Sequence, residues 1–179
     1  IALAAIFAVS CKEGISEKSY GTYNVVSQAD GPDLGYCPES GVTILKIDGK
    51  AFKDLNKNGS LDVYEDWRKD VKTRAADLAS KMSIEQICGL MLYSKAVTVD
   101  SAALNSNVLS YMKDDFIRHM LVSSVKDART AAIWANNVQA YCESAELGIL
   151  FRVANPNRQI KKILDLAGMH RLIRIETNS

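Results

Sequence analysis

Asp54 to Glu65 is a run of twelve residues, D-L-N-K-N-G-S-L-D-V-Y-E, with oxygen-bearing side chains at alternating positions. Asp54, Asn56 and Asn58 stand at positions 1, 3 and 5, Ser60 at 7, Asp62 at 9 and Glu65 at 12. Calcium is a hard cation that takes about six to eight oxygens, and this spacing supplies them from one short loop of the EF-hand type. Position 7 gives its backbone carbonyl, so Ser60 is acceptable there, and Glu65 closes the shell with both carboxylate oxygens. Gly59 stands at position 6, where the chain must fold sharply and a Cβ would resist. Leu61, at position 8, is the apolar residue expected on the inward side. The competing reading is a solvated Asn/Gly turn. Zinc does not suit the run, because no His or Cys stands nearby. The loop occurs once and a short strand precedes it. A structural calcium ion is therefore expected rather than a sensor, bound with an affinity suited to a calcium-rich extracellular medium.

Other reactive side chains are scattered. Asp114, Asp115 and Glu143 read as solvated carboxylates at helix ends, and His119 and His170 as lone histidines in structural or surface roles. Cys11, Cys37, Cys88 and Cys142 are separated by 26, 51 and 54 residues, which fits no zinc pattern. Cys88 and Cys142 fall among apolar residues and are expected as buried free thiols. No disulfide framework is expected.

The elements that must position the loop follow from patterning. Residues 12–41 are polar and rich in Gly, Ser and Asp, which predicts a flexible leader. Val42 to Ile47 predicts a short strand closed by the turn dipeptide Asp48-Gly49. Two helices are expected after the loop. One spans about Arg68 to Met82, with Val71, Ala75, Leu78 and Met82 inward. The other is opened by a Ser83/Gln86 capping box, with Ile84, Ile87, Cys88 and Met91 inward. Residues 95–112 show no clear period and read as a variable surface segment. Met120 to Ser123 predicts a buried strand, and Asp127 caps a helix reaching about Ser144 with Ala131, Trp134, Val138, Tyr141 and Cys142 inward. Leu147 to Ala154 predicts the next strand. Strand, helix and strand in this span make a βαβ unit, which requires a parallel sheet.

At the N-terminus, IALAAIFAVS followed by Cys11-Lys12-Glu13 has the apolar run and small residues of an export signal, without its basic region. A Cys directly after Ala8-Val9-Ser10 resembles a bacterial lipobox, which would make Cys11 the lipidation site; the alternative is a plain secretory signal. Lipidation would tether the chain to a membrane without spanning it. The expected location is beyond the inner membrane, as a periplasmic or outer-membrane lipoprotein that is either internal or surface-exposed. The 22 basic and 21 acidic residues give a net charge of +1, so no electrostatic pull towards nucleic acid is implied.

KAFKDLNKNGSLDVYEDWR, followed by ADLASKMSIEQICGLMLY, resembles the N-terminal portion of glycoside hydrolase family 3, the β-glucosidase-like enzymes of the Bacteroidetes lipoprotein type. FIRHMLVSS is similar to that family's first barrel strand, and IWANNVQAYCESAELGI to the helix after it. The resemblance spans about residues 42–150, more weakly to Arg158. It implies an α/β fold: the incomplete N-terminal part of a (β/α)8 TIM barrel, preceded by the calcium loop and the leader. It also implies hydrolysis of terminal β-linked sugars in oligosaccharides or β-glucosides with retention. Such chemistry uses two carboxylates about 5–5.5 Å apart. The family's nucleophile and acid/base lie on later barrel strands, so no catalytic residue is assigned in this chain.

Asn155-Pro156-Asn157-Arg158 resembles a disturbed form of the family's sugar-binding segment, which implies substrate contact by Asn155 and Arg158. The expected organisation is a signal remnant over 1–11, the leader over 12–41, the barrel region over 42–158 and an atypical tail over 159–179. From Arg158 onward five basic residues stand against two acidic ones, and the tail reads either as an amphipathic helix or as out-of-frame translation. Two functions remain open: part of an exo-acting β-glycosidase, inactive by itself, or a stand-alone calcium-binding envelope lipoprotein. A dockerin-like module ranks last, because dockerins duplicate the loop.

Overall fold

The computed structural model describes residues 14–145, Gly148, Arg152–Ala154 and Arg174–Glu176. The expected signal remnant, most of the tail, and Cys11, Asn155, Arg158 and His170 lie outside them.

The stretch expected to be a flexible leader folds. Strands β1 (Ile15–Ser19), β2 (Asn24–Gln28) and β3 (Leu34–Tyr36) form an antiparallel sheet in chain order. Only Val26 is buried on these strands, at 2% exposure, so their pattern is too polar to read as strand from sequence. What orders them is contact with the rest of the chain. The Gln28 amide donates to the Ala51 carbonyl at 3.3 Å and accepts from the Ala51 N–H at 2.9 Å, satisfying a backbone edge that would otherwise lie open. Glu17 ties the three strands together by accepting from Asn24 at 2.7 Å and from the Tyr36 hydroxyl at 2.6 Å.

A hairpin follows, β4 (Thr43–Ile47) and β5 (Lys50–Asp54), paired antiparallel with Ile47 opposite Lys50. Asp48 and Gly49 both take positive φ, 51° and 71°, the conformation a two-residue hairpin turn needs and their types favour. Ala51 and Phe52 are fully buried. Phe52 stacks on Trp67 with ring centroids 5.3 Å apart, and the Trp67 indole donates to the Ala51 carbonyl at 2.8 Å.

Helices α1 (Val71–Lys81) and α2 (Ile84–Leu90) form where expected, but their inward faces are rotated. α1 has no buried residue, and Val71 is 67% exposed. Its contact stripe is Arg74, Asp77 and Leu78. Arg74 donates to the Tyr64 carbonyl at 3.0 Å, Asp77 accepts from the Tyr64 N–H at 3.0 Å, and Leu78 packs on a small cluster of Val42, Leu55 and Tyr64. The helix docks largely through polar groups, so hydrophobic periodicity finds Leu78 but misses Arg74 and Asp77, while Val71 and Ala75 stay exposed. The capping box holds: Ser83 accepts from the Gln86 N–H at 3.2 Å, and Gln86 from the Ser83 N–H at 2.9 Å. Along α2 only Gly89 is buried, while Ile84 and Met91 are 67% and 77% exposed. Cys88 is exposed too, against expectation.

Gly89 explains the rotation. A Cβ there would lie 2.4 Å from the Asp115 carbonyl oxygen and 2.6 Å from the Phe116 carbonyl carbon. The helix backbone presses directly on the segment that enters the next strand. Gly89→Ala is expected to destabilise the chain by about 1–3 kcal/mol, as overpacking against backbone does. An unchanged urea midpoint would refute that close approach.

The main core belongs to alternating strands and helices: β6 (Val97–Val99), α3 (Ser106–Lys113), β7 (His119–Met120), β8 (Val122–Val125) and α4 (Ala128–Ser144). Residues 95–112 are therefore not a surface segment. Val97, Val99, Val108 and Met112 join Met120, Val122, Trp134, Ala135, Val138 and Cys142 in one buried cluster. β6 has three residues and α3 eight, too few for either period to stand out in the sequence. α4 follows its pattern: Asp127 caps it, accepting from the Thr130 N–H at 2.7 Å, and Ala131, Trp134, Val138 and Cys142 are buried.

All pairings in this part are parallel. β6 pairs with β8; β7 pairs with β9 (Arg152–Ala154), which pairs in turn with β10 (Arg174–Glu176). His119 is bridged by Tyr93 as well as by Arg152. The βαβ unit is thus present as β7–α4–β9, and β10 is a short strand within the tail.

Candidate functional site

The twelve-residue loop begins on the last residue of β5. Pairing with β4 sets Asp54 opposite Thr43, whose hydroxyl donates to Asp54 Oδ2 at 3.4 Å. Asp54 is 2% exposed and Glu65 4%. Both turn their oxygens onto loop backbone. Asp54 accepts from the Asn58 N–H at 3.1 Å and the Gly59 N–H at 2.9 Å. Glu65 accepts from Leu55 at 2.7 Å, Asn56 at 3.3 Å and, through its other oxygen, Asp62 at 3.0 Å. Position 1 therefore holds the middle of the loop, and position 12 holds its start and position 9. Gly59 has φ 75° with open space where a Cβ would stand, and Lys57 has φ 62°.

Asn56 and Asn58 donate their amides to Asp62 Oδ2 at 2.6 and 2.8 Å. Lys81 of α1 stands 3.4 Å from the other Asp62 oxygen. Burial works to raise the Asp62 carboxyl, but the two amides and Lys81 outweigh it and hold the group below its ordinary value. Burial likewise acts on Glu65, and there it prevails over the backbone donors, so its carboxyl is raised. Burial also raises the Tyr64 phenol, helped by neighbouring Glu65.

The six expected ligand residues are brought into one loop, and their chemistry is carboxylate, amide and carbonyl oxygen, the set a hard divalent cation takes. Among the described residues, neither Asp54 nor Glu65 has a cationic side chain within ion-pair distance. Unpaired buried carboxylates are costly, and a bound divalent ion would remove that cost. Among the described residues no three His, Cys, Asp or Glu side chains converge. The residues fit an oxygen-seeking ion and do not fit zinc.

Sequence reasoning missed what lies behind the loop. Glu143, expected as a solvated helix end, is 0% exposed. It pairs with Lys53 at 2.8 Å, accepts from the Cys37 N–H at 2.8 Å and from Gln139 at 3.2 Å. Lys53 also donates to the Gly35 carbonyl at 2.9 Å. No local signal connects residues that stand 90 positions apart. Asp114 and Asp115 are exposed, as expected. His119 tilts against Tyr93 with ring centroids 5.6 Å apart. Cys142 is fully buried, and burial pushes its thiol up to about 12. Among the described residues the cysteines are unbridged, and no helix is long and apolar enough to cross a membrane.

No family model matches the chain. The chain is similar to a periplasmic beta-glucosidase/beta-xylosidase of Dickeya chrysanthemi, with 30% identity over 126 residues. That match covers 66% of this chain and 19% of the relative, so the chain spans less than a fifth of that protein's length. The likeness is that of a distant glycosidase relative.

Proposed function

We propose that this chain is the N-terminal portion of an exo-acting β-glycosidase of the family 3 kind, acting with retention on terminal β-linked glucose or xylose. The observation that carries the reading is the similarity to the Dickeya enzyme over 126 residues. The alternation β6–α3–β8 and β7–α4–β9, with every pairing parallel, is what the opening of a (β/α)8 barrel requires. Met91, Leu92 and Tyr93 stand 77%, 52% and 65% exposed in one run, an apolar surface suited to packing against further barrel. The catalytic carboxylates belong to other parts of the enzyme, and Asn155 and Arg158 contribute to sugar contact. Export leads to the periplasm or to an outer-membrane lipoprotein anchored at Cys11.

In this reading Asp54, Asn56, Asn58, Ser60, Asp62 and Glu65 hold a structural calcium ion. Its role is to brace the entry to the barrel, since Tyr64 and Asp62, within the loop, are also the residues on which α1 docks. The stand-alone calcium-binding reading accounts for the loop but not for the similarity to a glycosidase.

Release of nitrophenol from aryl β-glucoside and aryl β-xyloside tests the enzymatic reading. The complete product of the locus is expected to turn over at least one of them. The 179-residue chain alone is expected to release nothing. Turnover by the short chain, or none by the complete product on either substrate, would overturn the proposal.

A further inference from the structure

Lys53, Leu55 and Lys57, which flank the loop's first oxygen-bearing positions, all turn towards the end of α4 and the residues just after it. Lys53, just before the loop, pairs with Glu143 of α4. Leu55, at position 2, packs so closely on Gly148 that a Cβ on that glycine would lie 2.8 Å from the Leu55 carbonyl oxygen. Lys57, at position 4, donates to the Ser144 carbonyl at 3.0 Å and the Ala145 carbonyl at 3.4 Å. Even-numbered residues 54, 56 and 58 carry oxygen-bearing side chains, while odd-numbered 53 and 57 reach the end of α4 and 55 packs on the glycine four residues past it.

That grip meets a need of the helix. The last carbonyls of an α-helix lack partners within it, and its C-terminus carries partial negative charge. α4 has no basic residue in its own last turn. The loop supplies the cation instead, from a residue held at φ 62°. The Lys57 backbone sits between Asn56 and Asn58, and the Asn58 and Gly59 N–H groups are both fastened to Asp54. Whatever fixes Asp54 therefore fixes the aim of Lys57.

We infer that Lys53, Leu55 and Lys57 form a dock on the C-terminal end of α4, through which a divalent cation in the loop orders that helix end. The inference rests on the calcium reading of the loop. It makes the loop more than a local brace: cation binding is linked to the end of the helix that leads into β9.

Amide hydrogen exchange on the full 179-residue chain, in chelator and in millimolar calcium, tests it. In the native sequence calcium is expected to slow exchange both in residues 54–65 and in the last turn of α4. Lys57→Met keeps the stem but removes the donors. It is expected to leave the loop's protection in place and to speed exchange in the last turn by roughly two- to fivefold, the size of one cation's effect at a helix C-terminus. Protection of the loop without any protection of α4 overturns the coupling and leaves the calcium reading standing. Protection of neither overturns the calcium reading and the coupling with it. Protection of both that Lys57→Met does not alter overturns the role of the dock.

Discussion

About 10 mM calcium is expected to raise the unfolding midpoint of this chain by about 3–10 °C, and Glu65→Ala to abolish the rise. Loops of this type in extracellular modules bind calcium with dissociation constants of roughly 0.1–1 mM. A ligand that binds only the folded state at ten to a hundred times that constant stabilises it by about 1.4–2.7 kcal/mol. For a domain of this length each kcal/mol moves the midpoint by about 2–4 °C. Glu65 is the informative position because its two oxygens stand at the closing end of the loop and its side chain is 4% exposed. Removing it also strips the Leu55, Asn56 and Asp62 N–H groups of their acceptor. The variant will therefore melt lower even in chelator. The quantity to compare is the increment between chelator and calcium, not the absolute midpoint. An increment that persists in Glu65→Ala, or that is missing from the native sequence, would remove the ion from the account.

The second large effect is expected behind the loop. Lys53→Met should destabilise the chain by about 3–5 kcal/mol, the range for breaking a buried ion pair from one side. Among the described residues it would leave the wholly enclosed Glu143 with the Cys37 N–H and the Gln139 amide as its donors. Glu143→Gln should cost less. Lys53 is 13% exposed and keeps the Gly35 carbonyl, and a glutamine oxygen can still accept from Cys37. Combining Lys53→Met with Glu143→Gln should recover part of the loss, because no unpaired charge then remains buried. Urea midpoints of the four proteins settle the order. If the two single variants lose equal stability and the double variant loses their sum, the pair is not coupled.

These two effects sit at opposite ends of what could be read from the residues alone. The left-handed turn at Gly59 within the twelve-residue loop was legible, since its requirement is local: a glycine where the chain turns with φ 75°. The Ser83 capping box, the Asp48-Gly49 turn and the course of α4 were legible for the same reason, each being decided within a few residues. The Lys53–Glu143 pair was not, and neither was the folding of residues 15–36. Val26 is the one buried residue on those strands, and their order depends on Gln28 reaching Ala51.

Helices α1 and α2 show the boundary most clearly. Their positions follow from capping and local propensity, and the sequence carried both. Their orientation does not. α1 docks through Arg74 and Asp77 on the Tyr64 backbone, and α2 through the bare backbone at Gly89. Hydrophobic period cannot see contacts made by ions or by the absence of a side chain. The apolar stripe that the period picked out stays largely exposed instead, in Val71, Ile84 and Met91.

By itself, then, the sequence determined the turn at Gly59, the hairpin before it, the strand–helix alternation around α4 and a resemblance to sugar hydrolases. Each rests on residues close together in the chain, where spacing alone fixes geometry. Only the tertiary structure decided which helix faces turn inward, that parts of residues 95–112 belong to the core, and that Lys53 and Lys57 reach the end of α4. Those outcomes depend on partners tens of residues apart, and a one-dimensional pattern carries no record of which distant groups will satisfy a buried charge or an open backbone edge.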